Sequence, residues 1–324
     1  MLAAARGAFS RRCGGPPSRW SGSSAAILRA VITYEGQLYR PPSEANSLIL
    51  QATIGCSYNR CTFCGMYRDK RFRVRPLDEL RKEIAWAAEE LGSEVDKVFL
   101  ADGDALVAKA RFLEEVLGEL RAAFPRLRRV SCYASPQSLQ VRAPEELDRL
   151  RAAGLTQLYL GVESGDDATL ERLDKGVDAA EMVRVAAKAS AARMKLSCMI
   201  LLGAAGRERS IEHARASAAV INRIQPRFVS TLVMTPVEDT PLWDQAERGE
   251  VDELDVVELT REQREFVAGL ELRGSVFRSN HVSNQLALAG SLPKDKNALV
   301  STIDEVLADL ERSGPRRRRP PRSL

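Results

Sequence analysis

The chain has 324 residues, 44% hydrophobic and 28% charged, enough to build a sizeable core in one large domain or two small ones. No apolar run approaches the length of a membrane span, which argues against a membrane protein. The formal charge of +4 is uneven: residues 1–34 hold five Arg and no acid, residues 312–324 hold six Arg and no acid, and removing those eleven leaves residues 35–311 at −7. Net basicity therefore does not indicate a nucleic-acid face on the folded body.

Residues 1–34, rich in Arg and Ser, read as a disordered basic N-terminus, with a transit peptide as the other reading. The first apolar run, Ser47–Thr53, predicts a strand. Directly after it comes GCSYNRCTFCGMY, which holds Cys56, Cys61 and Cys64, half of the six cysteines. Three thiolates on one tight loop suit an iron–sulfur cluster with one iron left open. A structural zinc site wants four ligands in paired spacing, and only Cys61 and Cys64 are so spaced; the only two His, His213 and His281, lie far off. The other cysteines are scattered, unlike a secreted disulfide framework, and Cys132 and Cys198 read as core residues. An exposed cluster needs a reducing compartment, which points to the cytoplasm.

Further apolar, β-branched or aromatic runs follow at Val95–Asp102, Arg129–Ser135, Gln157–Ser164, Leu196–Gly203 and Phe228–Pro236. Between them the spacing predicts helices over Leu77–Leu91, Lys109–Phe124, Pro144–Ala153, Ala179–Ala192 and Ser210–Ile224. His213, within the last of these, reads as a surface or packing residue. Alternating strands and helices imply a parallel sheet with right-handed crossovers, here a partial (β/α)6 TIM-like barrel of the α/β class. Working residues of such barrels lie at the C-terminal ends of strands. The unusual residues fall there: the cysteines, then Asp102-Gly103-Asp104, Ser135, Glu163-Ser164-Gly165 and Gly203. Glu163 in an apolar strand requires a partner, either a bound group or an internal cation such as Lys175. Met234–Pro241 is a turn-rich end to the sixth strand that faces the same mouth. Beyond it, Leu259–Leu272 reads as a helix, Ser275–Asn284 as a strand and loop, and Lys294–Glu311 as a final helix.

The cysteine loop and these strand ends resemble the radical S-adenosylmethionine (SAM) superfamily, over most of residues 35–290. The resemblance implies that Cys56, Cys61 and Cys64 bind a 4Fe–4S cluster, that SAM chelates the open iron, and that one electron cleaves SAM to methionine and a 5′-deoxyadenosyl radical, which abstracts hydrogen from substrate. It places Phe63 near the SAM adenine. Asp102-Gly103-Asp104 stands where relatives carry a Gly-Gly-Glu turn for the SAM amino group. Glu163, in GVESG with Ser164, faces the ribose or carboxylate. Gly203, in MILLGAAG, belongs to the adenine-binding strand. Ser135 completes this cofactor-binding set. The cysteine spacing departs from the usual C-x3-C-x2-C, with four residues, Ser57 to Arg60, between the first two.

Arg278, Asn280, His281 and Asn284 form a polar cluster expected to cap the open barrel and touch substrate. The expected organisation is a radical SAM core over 35–272, a capping C-terminal extension over 273–313 and a disordered Arg/Pro tail over 314–324. A stand-alone barrel of this length leaves no room for an appended cobalamin- or RNA-binding domain. The expected partners are a reductant such as flavodoxin or ferredoxin and a small-molecule or peptide substrate. The alternatives are a zinc- or iron–sulfur-bearing nucleic-acid-binding protein and a tetrapyrrole-acting radical SAM enzyme.

Overall fold

The structure is a computed structural model that describes residues 32–313. The expectations for the basic N-terminus up to residue 31 and for the tail from residue 314 lie outside the described residues. The end of the stretch expected to be disordered is instead packed: Ile32 is buried in the main core, and the Tyr34 hydroxyl donates to the Ile49 carbonyl at 2.9 Å.

In chain order, β1 (Leu48–Gln51) leads into a small antiparallel hairpin, β2 (Thr53–Ile54) and β3 (Arg73–Val74). Its long connection is the cysteine loop. Then come α1 (Leu77–Leu91), β4 (Lys97–Ala101), α2 (Ala110–Ala123), β5 (Arg129–Ala134), α3 (Pro136–Val141), α4 (Pro144–Ala153), β6 (Leu155–Glu163), α5 (Asp167–Arg172), α6 (Ala179–Ala191), β7 (Lys195–Leu202), α7 (Ser210–Ile224) and β8 (Phe228–Val233). The chain ends with α8 (Pro241–Glu247), α9 (Val256–Gly269), β9 (Ser275–Ser279), β10 (Leu288–Leu292) and α10 (Lys296–Ser313). The main sheet has eight strands in the order β1-β4-β5-β6-β7-β8-β9-β10. All neighbours run parallel except β10, which reverses against β9.

The six expected strands are therefore present, and residues 273–313 continue the same sheet with a seventh parallel strand and an antiparallel edge. The helix expected over Leu259–Leu272 starts and stops three residues earlier, because Asp255 and Glu258 form a reciprocal capping box that fixes its start. Side chains alternate across each strand as the pleat requires. In β4, Val98 and Leu100 join the large core beneath the helices, while Phe99 and Ala101 face the opposite side with Ile49, Tyr133 and Tyr159. On that inner face the rings of Phe99, Tyr133 and Tyr159 meet edge-on. Near the strand N-termini a fully buried carboxylate, Glu44, accepts from Arg129 at 2.8 Å and Ser131 at 3.0 Å, and also from Ser47 and Tyr159. A buried charge with four donors is satisfied, so this end of the barrel is a built floor.

Candidate active site

The cysteine loop is fixed at both ends and in its middle. At its start, Gly55 has φ +76° and donates to Asp102 Oδ2 at 3.1 Å, and the Gly103 amide returns to the Gly55 carbonyl at 3.1 Å. Asp102 is fully buried and also accepts from Lys70 Nζ at 2.9 Å and from Gln51 Nε2. Asp104, equally buried, accepts from Ser57 at 2.6 Å and from the Ser135 hydroxyl and amide at 2.7 and 3.2 Å. Burial pushes its pKa up, against the pull of those serine hydrogen bonds. The two aspartates expected to take the SAM amino group thus spend their side chains joining the loop to the ends of β4 and β5. What this segment leaves toward the loop is its backbone. Ser135 is spent likewise: besides serving Asp104, it caps α3.

The extra residue between Cys56 and Cys61 is accommodated by side-chain ties. Asn59 takes a left-handed conformation, φ +46°, which asparagine tolerates better than most residues, and donates to the Tyr67 carbonyl at 2.9 Å. Tyr58 and Arg60 both bind Asp174, at 2.9 and 3.2 Å. Beyond Cys61, the Thr62 amide donates to the Leu173 carbonyl and the Thr62 carbonyl accepts from the Leu242 amide, at 3.0 and 3.1 Å. Arg68 closes the loop by donating to the carbonyls of Cys61 and Cys64 at 2.7 and 2.9 Å. The turn after β8 lies over it, as expected: an added Cβ on Gly65 would meet Val237 at 3.0 Å.

All three cysteines are half-buried free thiols. Burial pushes each of them up, Cys64 to about 11. Thiolate ligation there releases protons on loading. Among the described residues no three His, Cys, Asp or Glu side chains converge on a point that one metal ion would fill. A cluster is larger than an ion and takes its three cysteines from a wider perimeter. The cradle for it is tight. An added Cβ on Gly103 would fall 2.5 Å from the Tyr67 ring and 3.0 Å from the Cys56 Cβ, and the buried Tyr67 hydroxyl has no partner among the described residues. A sulfur-rich group beside these thiols fits that donor set.

Glu163 ends β6 with φ +66° and pairs with Lys175 at 3.1 Å, each side chain 9% exposed. Lys175, the internal cation expected for Glu163, is a partner of its Oε1. Burial alone disfavours the Lys175 ammonium, but the Glu163 carboxylate outweighs it and keeps it charged. Lys175 therefore places a buried positive charge beside the cysteines, a role that sequence patterning did not assign. Gly161 makes room for the pair: an added Cβ would sit 2.0 Å from Glu163 Oε1. Gly161→Ala is expected to displace that carboxylate and destabilise the protein by about 1–3 kcal/mol. Chemical denaturation checks this; an unchanged midpoint would mean that Glu163 has a second place to go.

Phe63 packs at the mouth against the cluster of Leu173, Leu201, Ala204, Met234 and Leu242. Ser164 and Gly165 are framework: the Ser164 hydroxyl accepts from the Asp166 amide, and the Gly165 amide donates to Ser217 on α7, both at 2.9 Å. Gly203 has φ +78° and donates to Glu262 Oε1 at 2.9 Å. Glu262, fully buried on α9, also accepts from Ser210 at 2.7 Å and contacts His213 Nδ1 at 3.0 Å. His213 is thus a packing residue, as one of its two readings had it, though a paired one. Glu262 was missed because nothing around it in sequence marks a helix acid that reaches the end of another strand.

The C-terminal polar cluster divides. β8 pairs with β9 from Phe228 to Ser230. Beyond that, side chains replace a strand: Asn284 Nδ2 donates to the Thr231 carbonyl at 2.7 Å, and Ser283 Oγ accepts from the Val233 amide at 3.0 Å. Asn284, expected to face substrate, spends its Nδ2 on this seam, with Ser279 at 3.0 Å, while its Oδ1 has no partner among the described residues. His281 is held by Ser283 at 2.9 Å, beside the C-terminal end of β8, and its pKa is lowered by burial. Arg278 and Asn280 are exposed.

The radical SAM superfamily model matches residues 50–216, which include the cysteine loop, Glu163 and Gly203. No curated protein sequence matches the chain. Among solved structures, coproporphyrinogen III oxidase (HemN) from Escherichia coli, a radical SAM enzyme, aligns with a TM-score of 0.55 and 17% identity over 80% of this chain and 58% of its own. The radical SAM methyltransferase TsrM from Kitasatospora setae, with cobalamin and a [4Fe-4S] cluster bound, aligns with a TM-score of 0.51 and 18% identity, over 66% of this chain and 43% of its own. TsrM has also been solved with tryptophan substrate and the SAM analogue aza-SAM, aligning at 19% identity with the same TM-score and coverage. The chain thus spans less than half the length of TsrM, and at these identities the likeness is one of fold: a partial TIM barrel. No helix among the described residues is long and apolar enough to cross a membrane. With the family model over half of its length and the matching barrel, the chain belongs to the radical SAM superfamily, whose cofactors are a 4Fe–4S cluster and SAM.

Proposed function

We propose that this chain is an enzyme that holds a 4Fe–4S cluster through Cys56, Cys61 and Cys64 and acts by hydrogen abstraction on a small-molecule or peptide substrate. When bound, the cluster and SAM supply a one-electron reductive cleavage that yields the abstracting radical; the protein's share is to bind, orient and exclude. Three free thiols on one braced loop at the sheet's C-terminal edge carry this reading. Lys175 offers a buried ammonium suited to the SAM carboxylate, with Glu163 fixing its position. The backbone of Asp102-Gly103-Asp104 offers carbonyls to the SAM amino group, Phe63 an apolar wall for the adenine, and the Gly203 turn an edge for it. His281, Asn280 and Arg278 face the substrate side.

The electron donor is a small reductant protein such as flavodoxin or ferredoxin, and the setting is a reducing compartment such as the cytoplasm. The nucleic-acid-binding alternative gains no support from the −7 body. Spectroscopy of the anaerobically reconstituted protein tests the proposal. Adding SAM should change the electron paramagnetic resonance spectrum of the reduced cluster, because one iron is open to it. A cluster spectrum indifferent to SAM would mean a closed, electron-transfer site.

A further inference from the structure

Tyr67 stands three residues beyond the last cysteine. It is 3% exposed, and its hydroxyl is sealed from solvent with no hydrogen-bond partner among the described residues. The ring is held on several sides. One edge lies against Gly103, Tyr39 meets it edge-on at 5.5 Å between centroids, and the Lys70 ammonium lies 5.5 Å from its centroid. None of these contacts takes the hydroxyl. A buried phenol without a partner is unfavourable, so it calls for an acceptor that the described residues do not supply.

Burial pushes the Tyr67 phenol well up, and Tyr133, Asp102, Cys64 and Cys56 push it the same way. The Asp102 carboxylate is already filled by Lys70, Gln51 and the Gly55 amide. Tyr133 packs its ring edge-on against Phe99 and Tyr159 on the inner face and takes no hydrogen bond from Tyr67. What remains is the cysteine side, where the Cys56 Cβ approaches the same Gly103 surface that the ring covers.

We propose that the Tyr67 hydroxyl donates a hydrogen bond to a sulfur of the cluster held by Cys56, Cys61 and Cys64, and so raises its reduction potential. This rests on the assignment of those cysteines above. A donor to sulfur favours the reduced, more negative cluster over the oxidised one. One electron passes from the reductant to the cluster, and the tyrosine keeps its proton throughout.

The test is a potentiometric titration of the reconstituted full chain with dithionite, without SAM, following the reduced-cluster signal. Tyr67→Phe keeps the ring and removes only the donor. With wild-type iron content, it should be about tenfold harder to reduce, a fall of about 59 mV for one electron. Incorporating 3-fluorotyrosine at position 67 makes the phenol more acidic and a stronger donor, and should move the potential the other way; it also carries the test if the phenylalanine variant does not fold. Equal potentials in all three proteins would overturn the proposal. So would an effect confined to the SAM KM, which would assign the hydroxyl to SAM instead. If the wild type takes up no 4Fe–4S cluster, the cysteine assignment itself is wrong and this proposal falls with it.

Discussion

Cys61→Ala is expected to leave the protein unable to retain a 4Fe–4S cluster and to bring SAM cleavage down to background, while the stability of the metal-free protein changes by about 1 kcal/mol or less. The asymmetry follows from where the thiol sits. Cys61 is half-exposed on a loop held by its neighbours: Thr62 to Leu173 and Leu242, Arg68 to the Cys61 carbonyl, and Tyr58 and Arg60 to Asp174. Removing one sulfur leaves all of those ties in place. Cys132→Ala and Cys198→Ala are the contrast, since both thiols are buried in the core and should keep full iron at some cost in stability. Iron content per chain, measured with the denaturation midpoint of the metal-free protein, separates the two behaviours. Full iron in Cys61→Ala would contradict the ligand assignment.

Asp102→Ala should be the most destabilising single change at the site, by about 3–5 kcal/mol, because it strands the Lys70 ammonium in a place where its side chain is only 3% exposed. It also frees Gln51 and the Gly55 amide, so the start of the cysteine loop loses its anchor and iron retention falls as well. Pairing it with Lys70→Met, which removes the stranded charge, should recover a large part of the stability but not the loop anchor. Urea denaturation of the single and double variants, read beside iron content, checks both halves. A single variant as stable as wild type would show that water reaches Lys70 freely.

The barrel was legible because its strands are continuous apolar runs that alternate with amphipathic helices, and α1, α4 and α7 have the bounds their patterning predicts. β10 escaped because Leu288–Leu292 is a short edge strand broken by Gly290. The site was legible in part. A cysteine triplet is a local signal, and every strand-end residue singled out does lie at a strand end. What sequence cannot express is which partner a side chain meets. Asp102, Asp104, Ser135 and Ser164 sit where the pattern placed them, yet their polar atoms are taken up by Lys70, Ser57, α3 and Asp166, and the Asn284 amide nitrogen is spent on β8. Glu163 met Lys175, twelve residues on, and Gly203 met Glu262, fifty-nine residues on. Such pairings depend on how α9 packs against α7 and on where the turn after β6 returns, and neither has a period to read.

The braced cysteine loop is expected to support reductive cleavage of SAM. The most direct measurement is 5′-deoxyadenosine formed by the anaerobically reconstituted protein with SAM and dithionite. It is expected to form with the wild type and to be lost in Cys56→Ala. A wild-type protein that carries a full 4Fe–4S cluster and yet forms no 5′-deoxyadenosine would contradict that expectation.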